Sequence, residues 1–504
     1  MRIQLACCIA VLSSAAAFAD SDTPCGRVVA ALGDRLADLS CVQSADLTTR
    51  NPATTPQNNS IGRPAFAFTP QTDRGVISPN PPDRTPIGPK LVPGLQITAR
   101  VPGDLTREAR FLLRLPDDWN GRLVVAGASG TRSEFNGDFA WSDYVVQKGY
   151  AYASQNKGIL NFFVTTPDPA LAPTGITPDP LACRAQPPGF LLANFWVHFY
   201  DNDPAKPFTE WQERIVQAAV LARDGVKARY QHYPRYTYAV GTSNGGYQVR
   251  RAIEEAPDLF DGGVDWEGTF VDPSANNLLA TLPPAIHNFP AYAASDFDAN
   301  GPAAQAIRAA GYPPDIVNRT PAGVVTASLW QNYYVQFWEV TQCQWQKRLD
   351  PEYHTYADGP GNYDYLIQAS KTDVAANLAA FETTGKIKQP LITVAGTMDG
   401  LLPIRTQARA YEARVAASRK GNDEHRSAQY RLYEVQNGNH IETFRGTFPQ
   451  LEFIQPHAQR AFDLLVDTVE QRAALPPSQC VPRRGAIAAN PGKQAGHCID
   501  LFVP

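Results

Sequence analysis

The sequence has no excess of positive charge, no long apolar run beyond its first residues, and no common zinc motif. Lys and Arg total 45 against 49 Asp and Glu, a formal net charge of -4. This balance offers no cationic surface for a polyanion, so nucleic acid is not an expected partner. No later segment holds about 18 consecutive apolar residues, the length that a membrane span requires. Neither a CxxC pair nor an HExxH sequence is present, so no metal or cofactor is expected.

The first 19 residues have the pattern of a secretory signal peptide. Arg2 gives a positive start, residues 5–12 form a short apolar stretch, and residues 17–19 (Ala-Phe-Ala) give a small-x-small end. We therefore expect cleavage after Ala19 and a secreted or periplasmic protein without membrane attachment. A membrane anchor is the alternative, which the short apolar stretch disfavours.

Removal of that segment leaves six cysteines, an even number that fits an exported protein. Proximity along the chain favours disulfides between Cys25 and Cys41 and between Cys480 and Cys498, which leaves Cys183 with Cys343. Metal binding by these cysteines is the alternative, but their spacing matches no common metal motif.

The remaining chain divides into four parts. Residues 20–94, rich in Pro, Asn, Thr and Asp, are predicted to be an extended arm, and residues 476–504 a disulfide-pinned tail. Residues 95–267 and 388–475 alternate strand and helix patterns, which predicts one α/β core with a mostly parallel sheet and helices on both faces. Residues 268–387 interrupt this core as a large insertion, a candidate lid.

The most informative segment joins a strand to a helix. The β-rich run 236–240 ends in Gly241-Thr242-Ser243-Asn244-Gly245, and a helical pattern follows at once. A GxSxG sequence in this context thrusts its serine out at the sheet edge, and the small residues let strand and helix approach closely. The sequence therefore predicts Ser243 as a nucleophile.

An acid and a histidine follow in the chain order that this arrangement needs. Asp399 comes directly after the buried strand 390–396, and His440 after the strand 429–435. We predict that His440 accepts the Ser243 proton and that Asp399 holds the imidazole. Asp265, at the end of another strand, is a competing acid; His457 competes with His440 but is expected to be structural.

Two backbone N–H groups are expected to stabilise the oxyanion that forms during acyl transfer. One should belong to Asn244, the residue after the nucleophile. The other should come from the Gly127–Gly130 loop, from Ala128 or Ser129. A tight connection without this role is the alternative for that glycine-containing loop.

The insertion is rich in rings, which predicts either a substrate pocket over Ser243 or a small core of its own. Trp338, together with Trp266 and Glu267 beside the core sheet, is predicted to contact substrate. The rings are Trp330, Tyr333, Tyr334, Phe337, Trp338, Trp345, Tyr353, Tyr356, Tyr363 and Tyr365.

One segment matches the first half of a calcium loop. Residues 296–301 (Asp-Phe-Asp-Ala-Asn-Gly) place carboxylates at alternate positions before a glycine. Position twelve is Ile307, where a bidentate glutamate belongs. A turn that begins a helix is therefore the favoured interpretation.

Together these features resemble those of a known family. The features that carry the resemblance are the turn 115–122 (Leu-Pro-Asp-Asp-Trp-Asn-Gly-Arg), the segment 148–151 (Lys-Gly-Tyr-Ala), the strand-to-helix turn at Ser243, the long insertion and the position of His440 late in the chain. The chain resembles the tannase and feruloyl esterase group of α/β-hydrolases and the secreted hydroxybutyrate-oligomer hydrolases. The resemblance covers roughly residues 95–475. It implies an α/β-hydrolase fold with a lid, acting on aromatic or oligomeric esters.

The chain departs from the tannase group at two positions. Members commonly join cysteines beside the catalytic serine and histidine in a disulfide, whereas this chain has Thr242 and Asn439. Gallate or ferulate specificity is therefore not carried across.

These inferences predict a secreted serine carboxylic-ester hydrolase whose partner is a small-molecule or oligomeric ester, either aromatic or a 3-hydroxybutyrate oligomer. A catalytically silent binding protein with the same fold is the alternative from another class, and peptidase or amidase activity is a subsidiary one, because the acyl-enzyme route is shared.

Overall fold

The computed structural model describes residues 22–48, 51, 53, 90–103, 109–130, 134–135, 138–158, 162–164, 183–184, 195–197, 209–274, 276–351, 353, 360–419 and 429–504. The predicted signal peptide and much of the predicted arm lie outside these residues. Among the described helices, none combines the length and apolar character needed to cross a bilayer.

Fifteen strands are described, ten of them in one sheet. In chain order they are β1 Ala37–Ser44, β2 Gly94–Arg100, β3 Arg110–Pro116, β4 Arg122–Gly127, β5 Ala151–Gln155, β6 Phe162–Val164, β7 Cys183–Arg184, β8 Phe195–Val197, β9 Tyr236–Thr242, β10 Gly262–Trp266, β11 Val317–Arg319, β12 Val325–Ser328, β13 Leu391–Gly396, β14 Tyr430–Val435 and β15 Gln479–Val481.

The large sheet has the order β1-β2-β3-β5-β4-β9-β10-β13-β14-β15. From β5 to β15 every neighbouring pair is parallel, whereas β1, β2 and β3 add an antiparallel edge. Parallel strands bring their carboxyl ends to one edge, where loops carry functional groups. The predicted mostly parallel sheet is confirmed.

The helices are α1 Pro24–Leu32, α2 Asp143–Val146, α3 Thr209–Tyr230, α4 Asn244–Glu255, α5 Leu278–Ala294, α6 Pro302–Ala309, α7 Leu329–Tyr333, α8 Glu339–Leu349, α9 Tyr365–Ala369, α10 Val374–Ala379, α11 Ala408–Ser418 and α12 Gln455–Gln471. Single π-helical turns cover Asp138–Ser142 and Tyr334–Trp338, and 3-10 turns cover Gly33–Arg35, Pro257–Leu259, Pro360–Asn362, Glu442–Gly446 and Gly492–Gln494.

Helices cover both faces of the sheet, as β4 shows. Its side chains alternate between two apolar cores, because successive residues of a strand point to opposite faces. Leu123 and Val125 join the core formed with α1, α3, α4 and α11. Val124 and Ala126 join the core formed with α2 and α12. This is the α/β-hydrolase architecture that the sequence predicts.

The amino-terminal segment differs from the predicted extended arm. Residues 22–48 form α1 and then β1, which pairs antiparallel with β2 and so extends the sheet. Thr23 begins α1 by accepting the Gly26 N–H at 3.0 Å, and Pro24 suits the first helical position. A disulfide between Cys25 and Cys41 ties α1 to β1, confirming that predicted pair.

The insertion, residues 268–387, forms α5 to α10 and the hairpin of β11 and β12 around an apolar core that also includes Trp211, Tyr247, Met398 and Phe444 from the rest of the chain. Most of its rings pack into this core, as the second interpretation expects, but the core is shared with the rest of the protein. The buried rings are Trp330, Tyr333, Trp338, Trp345, Tyr363 and Tyr365, and the partly buried ones are Tyr334, Phe337 and Tyr353; Tyr356 lies outside the described residues. Within the half calcium loop, Asp296 pairs with Arg319, and Gly301 caps α6.

The carboxyl-terminal segment, residues 476–504, forms part of the large sheet in addition to the predicted disulfide-pinned tail. It adds β15 to the sheet, and the predicted disulfide between Cys480 and Cys498 is present. Cys343 is also disulfide-bonded, while the side chain of Cys183, its predicted partner, lies outside the part of the chain that the structure describes.

Removing the terminal disulfides should lower stability by similar amounts. The Cys480–Cys498 and Cys25–Cys41 bonds close loops with sequence separations of 18 and 16. Loops of this size cost the unfolded chain about 3 kcal/mol of entropy when they are cross-linked. We expect Cys480→Ala/Cys498→Ala and Cys25→Ala/Cys41→Ala each to lower the free energy of unfolding in urea by that amount. A loss below about 1 kcal/mol in either variant would contradict the entropic account.

Candidate active site

Ser243 stands on a strained turn between β9 and α4. Its backbone has φ 59° and ψ -122°, a conformation that non-glycine residues rarely adopt. A Cβ at Gly241 would overlap the backbone of Gly245, and one at Gly245 would overlap that of Gly127. Glycine is therefore required where β4, β9 and α4 converge. The Ser243 N–H donates to the Trp266 carbonyl at 2.9 Å, which ties the turn to β10.

The three residues predicted as nucleophile, base and acid lie within hydrogen-bond reach of one another. His440 Nε2 is 3.0 Å from Ser243 Oγ, and His440 Nδ1 is 2.8 Å from Asp399 Oδ2. The other oxygen of Asp399 accepts the backbone N–H groups of Leu401 and Leu402, each at 2.7 Å. These bonds fix the Asp399 carboxylate so that it faces the imidazole.

Asp265, the competing acid, is bonded elsewhere. Its oxygens accept from Arg250 Nε and from the Gly268 N–H, both at 2.6 Å, and from Thr393 Oγ1 at 2.8 Å. Asp265 therefore supports the turn after β10 and leaves the acid position to Asp399. His457 lies in α12, where burial lowers its pKa to about 4, so it is neutral at neutral pH.

Glu267 occupies a different place from the one predicted. Its Oε2 is 3.6 Å from His440 Nδ1, on the side of the ring away from the nitrogen that faces Ser243. Its Oε1 accepts the Gly396 N–H at 3.0 Å, and the residue is only 3% exposed. Burial raises the pKa of the Glu267 carboxyl well above its usual value, and the neighbouring Asp399 raises it further. The prediction that Glu267 contacts substrate is corrected: its buried carboxyl faces His440 Nδ1.

Trp266 and Trp338 are also buried inside the protein. The Trp266 ring packs against Trp141 and its N–H donates to Glu267 Oε2 at 3.2 Å. Trp338 has no exposed surface, and its indole N–H donates to the Gly400 carbonyl at 2.7 Å. Both rings therefore brace the loops around the site, which corrects their predicted role as substrate contacts.

The predicted oxyanion donors differ in their surroundings. Asn244 is the first residue of α4, so its N–H belongs to the helix end that has no preceding carbonyl to bond. The Ala128 N–H donates to Gln248 Oε1 at 2.8 Å, which engages it within the protein and corrects that assignment. Ser129 remains the candidate for the second donor.

Two side chains that the sequence did not single out shape the loop after β4. Gln248 of α4 accepts from Ala128 and from Gln155 Nε2. Lys157 Nζ donates to the carbonyls of Ser129 and Gly130, the latter at 2.7 Å. Both contacts join residues far apart in sequence, so no local pattern could have indicated them.

The loops that carry Asp399 and His440 are held by distant segments. Tyr333 of α7 donates its hydroxyl to Asn439 Oδ1 at 2.7 Å. Residues of the carboxyl-terminal tail bond both loops. In the loop that carries Asp399, the Thr397 hydroxyl donates to the Leu501 carbonyl. Asn437 exchanges bonds of 2.6 and 2.8 Å with Val503. A hydrogen bond to the insertion therefore holds Asn439, the residue before His440.

Removing the Tyr333 hydroxyl should destabilise the protein. Tyr333→Phe leaves the buried Asn439 Oδ1 without its donor, which costs about 1–3 kcal/mol. Tyr312 is the matched control, because its buried hydroxyl has no hydrogen-bond partner among the described residues. We expect Tyr312→Phe to leave the free energy of unfolding unchanged or slightly higher. Equal losses in the two variants, measured by urea unfolding, would show that the Asn439 bond contributes nothing.

Within the described residues, one group could offer three ligand atoms to a metal ion: Glu267, Asp399 and His440, whose ligand atoms lie within 4.8 Å of one another. The Nδ1 atom of His440 is already bonded to Asp399. Two members of this set, His440 and Asp399, are therefore already engaged in the hydrogen-bonded array with Ser243.

Comparison with known proteins gives a family match for the carboxyl-terminal part. Residues 355–498 match the family model described as 3HB-oligomer hydrolase. Proteins named D-(-)-3-hydroxybutyrate oligomer hydrolase are similar: that of Burkholderia thailandensis is 33% identical over 134 residues, 25% of this chain and 18% of that protein. That of Burkholderia mallei is 32% identical over the same shares. The matched part spans less than a fifth of these relatives' length.

Solved structures of esterases resemble the chain over most of its length at low sequence identity. Feruloyl esterase B of Aspergillus oryzae has a TM-score of 0.46 and 13% identity, covering 90% of this chain and 89% of that one. Tannin acyl hydrolase of Aspergillus niger has a TM-score of 0.46 and 12% identity, covering 94% and 90%.

The matched segment contains Asp399 and His440 but not Ser243, which the sheet brings to them from the other half of the chain. Over residues 355–498 the chain is thus similar to the 3HB-oligomer hydrolases.

Proposed function

We propose that the protein is a serine carboxylic-ester hydrolase with Ser243 as nucleophile, His440 as base and Asp399 as the acid that orients it. The observation that carries this proposal is the continuous hydrogen-bonded array from Ser243 Oγ through His440 to Asp399, with bonds of 3.0 and 2.8 Å. This is the geometry in which a hydroxyl is activated for attack on an acyl carbon.

The reaction follows from the array. His440 Nε2 takes the Ser243 proton as Oγ attacks the ester carbonyl, while Asp399 accepts from Nδ1–H and stabilises the imidazolium. The same proton then passes to the leaving alcohol, and water hydrolyses the acyl-enzyme by the reverse route. The Asn244 N–H at the positive end of α4, with Ser129, stabilises the oxyanion.

The proposed substrate is an oligomeric hydroxyalkanoate ester. The support is the similarity of residues 355–498 to D-(-)-3-hydroxybutyrate oligomer hydrolases, the segment that contributes the acid and the base. The disulfides of the chain support an oxidising compartment, as an exported enzyme requires.

A covalent probe separates this function from its alternatives. A fluorophosphonate should form an adduct on Ser243 that peptide mass spectrometry identifies, and the unlabelled enzyme, assayed separately, should release 3-hydroxybutyrate from its linear trimer. Faster turnover of methyl ferulate or methyl gallate would replace the substrate class, and faster turnover of a peptide anilide would indicate a peptidase. An intact protein that takes up no phosphonate and cleaves no ester would be a binding protein of this fold.

A further inference from the structure

Two carboxyl groups face the same nitrogen of His440. Asp399 Oδ2 lies 2.8 Å from Nδ1, and Glu267 Oε2 lies 3.6 Å from it. Asp399 follows β13, and Glu267 follows the neighbouring parallel strand β10. The position of Glu267 is fixed by two bonds to β13, its N–H to the Val394 carbonyl at 2.9 Å and its Oε1 to the Gly396 N–H at 3.0 Å.

We propose that Glu267 is a positioning residue for His440, a second acid that holds the Nδ1–H when Asp399 cannot. This inference rests on the proposed hydrolase function and deepens it. The Nδ1 proton stays on the ring throughout; Glu267 only accepts its hydrogen bond. A ring shift of less than about 1 Å brings Nδ1 from its present distance to bonding distance of Glu267 Oε2.

The surroundings of the two carboxyl groups explain why Asp399, and not Glu267, bonds His440 Nδ1 in the native protein. Each of two carboxyl groups that lie this close together and this deeply buried opposes ionisation of the other. The groups that face Glu267 are Asp399, Glu442 from the turn after His440, Tyr333 from the insertion, and the Trp266 N–H. Burial and the two neighbouring carboxyls raise the pKa of Glu267, and Asp399 is the carboxylate that lies at bonding distance from Nδ1.

Removing the Asp399 carboxylate removes its repulsion from Glu267. The pKa of Glu267 then falls towards its usual value, although burial still holds it up, and a carboxylate becomes available to His440. Because activity would then require an ionised Glu267, the acid limb of kcat/KM should lie at higher pH in Asp399→Ala than in the native enzyme.

The test is a double-mutant cycle in kcat. Losing the acid of a Ser-His-Asp array costs about 10⁴ in kcat. We expect Asp399→Ala to lose only about a hundredfold and Asp399→Ala/Glu267→Gln the full 10⁴, with KM little changed. Glu267→Gln alone should lose less than about fivefold, since Asp399 still holds the ring. A double variant no slower than Asp399→Ala would overturn the proposal.

Two controls keep the result interpretable. Asp399→Ser, whose hydroxyl can still accept the Leu401 N–H, replaces Asp399→Ala if that variant does not fold. Glu254→Gln alters another buried glutamate, bonded to Tyr411 and Gly385 rather than to His440; its kcat per folded molecule should not change. Fluorophosphonate labelling of Ser243 distinguishes failure of the proposed function from failure of the role of Glu267. If Ser243 of the native protein is not labelled, the proposed function is refuted. If Ser243 is labelled but the double variant is no slower than Asp399→Ala, only the role of Glu267 is refuted.

Discussion

Ser243→Ala is expected to lower kcat for ester hydrolysis by about 10⁶, leaving the fold intact. The Ser243 hydroxyl is the group aligned with His440 Nε2, and alanine has nothing to attack an acyl carbon. The measurement is hydrolysis of a short p-nitrophenyl ester, with circular dichroism as the check on folding. Full activity in this variant would refute the assignment of the nucleophile.

Stability gives a second readout at the same position. Alanine keeps the strained φ of 59°, whereas glycine adopts it freely. We therefore expect Ser243→Gly to be more stable than Ser243→Ala by about 1 kcal/mol, and both to be inactive. The matched control is Ser154→Ala in β5, because the buried Ser154 hydroxyl has no hydrogen-bond partner among the described residues. That variant should keep native activity and stability.

Arg250→Met is expected to lower the free energy of unfolding by about 3–5 kcal/mol. Arg250 Nε is 2.6 Å from Asp265 Oδ2, and neither side chain has exposed surface. Removing the cation leaves a buried carboxylate without its partner, which costs far more than the pair itself contributes. Urea unfolding monitored by tryptophan fluorescence measures the loss.

A double-mutant cycle and a surface pair give the comparison. Arg250→Met/Asp265→Asn removes both charges, so its loss should be smaller than the sum of the single losses. Arg35 and Asp224 form an ion pair at 2.8 Å with side chains 41% and 31% exposed. We expect Arg35→Met to cost under about 1 kcal/mol, because water screens such pairs. Similar losses in Arg250→Met and Arg35→Met would contradict the assignment of a buried charge effect.

Local patterns were enough to predict the parts of the site that lie at strand ends. Ser243 follows a β-rich run inside a GxSxG sequence, and Asp399 and His440 each follow a buried strand, so their convergence is a consequence of parallel strand direction. The polar, proline-rich composition of residues 20–94 favours an extended arm, whereas in the structure Thr23 and Pro24 begin a helix.

The incorrect assignments depend on contacts between distant residues. Ala128 loses its predicted role because Gln248, 120 residues later, accepts its N–H. Trp338 is covered by the insertion and bonded to Gly400, and Glu267 is turned toward His440 by its bond to Gly396. No periodicity or spacing in one sequence encodes which neighbour an aromatic or acidic side chain meets across a sheet, so these positions required the tertiary structure.

The two outermost strands of the large sheet each carry a disulfide cysteine, Cys41 in β1 and Cys480 in β15. An unpaired strand edge is a template on which another chain can add, and proteins suppress that hazard by covering the edge with a helix or a loop. At β15 the loop closed by the bond returns to the strand, where Ala495 bridges Gln479. Under reducing conditions both outer strands would lose their tethers together, so the bonds also protect the sheet against edge-to-edge aggregation.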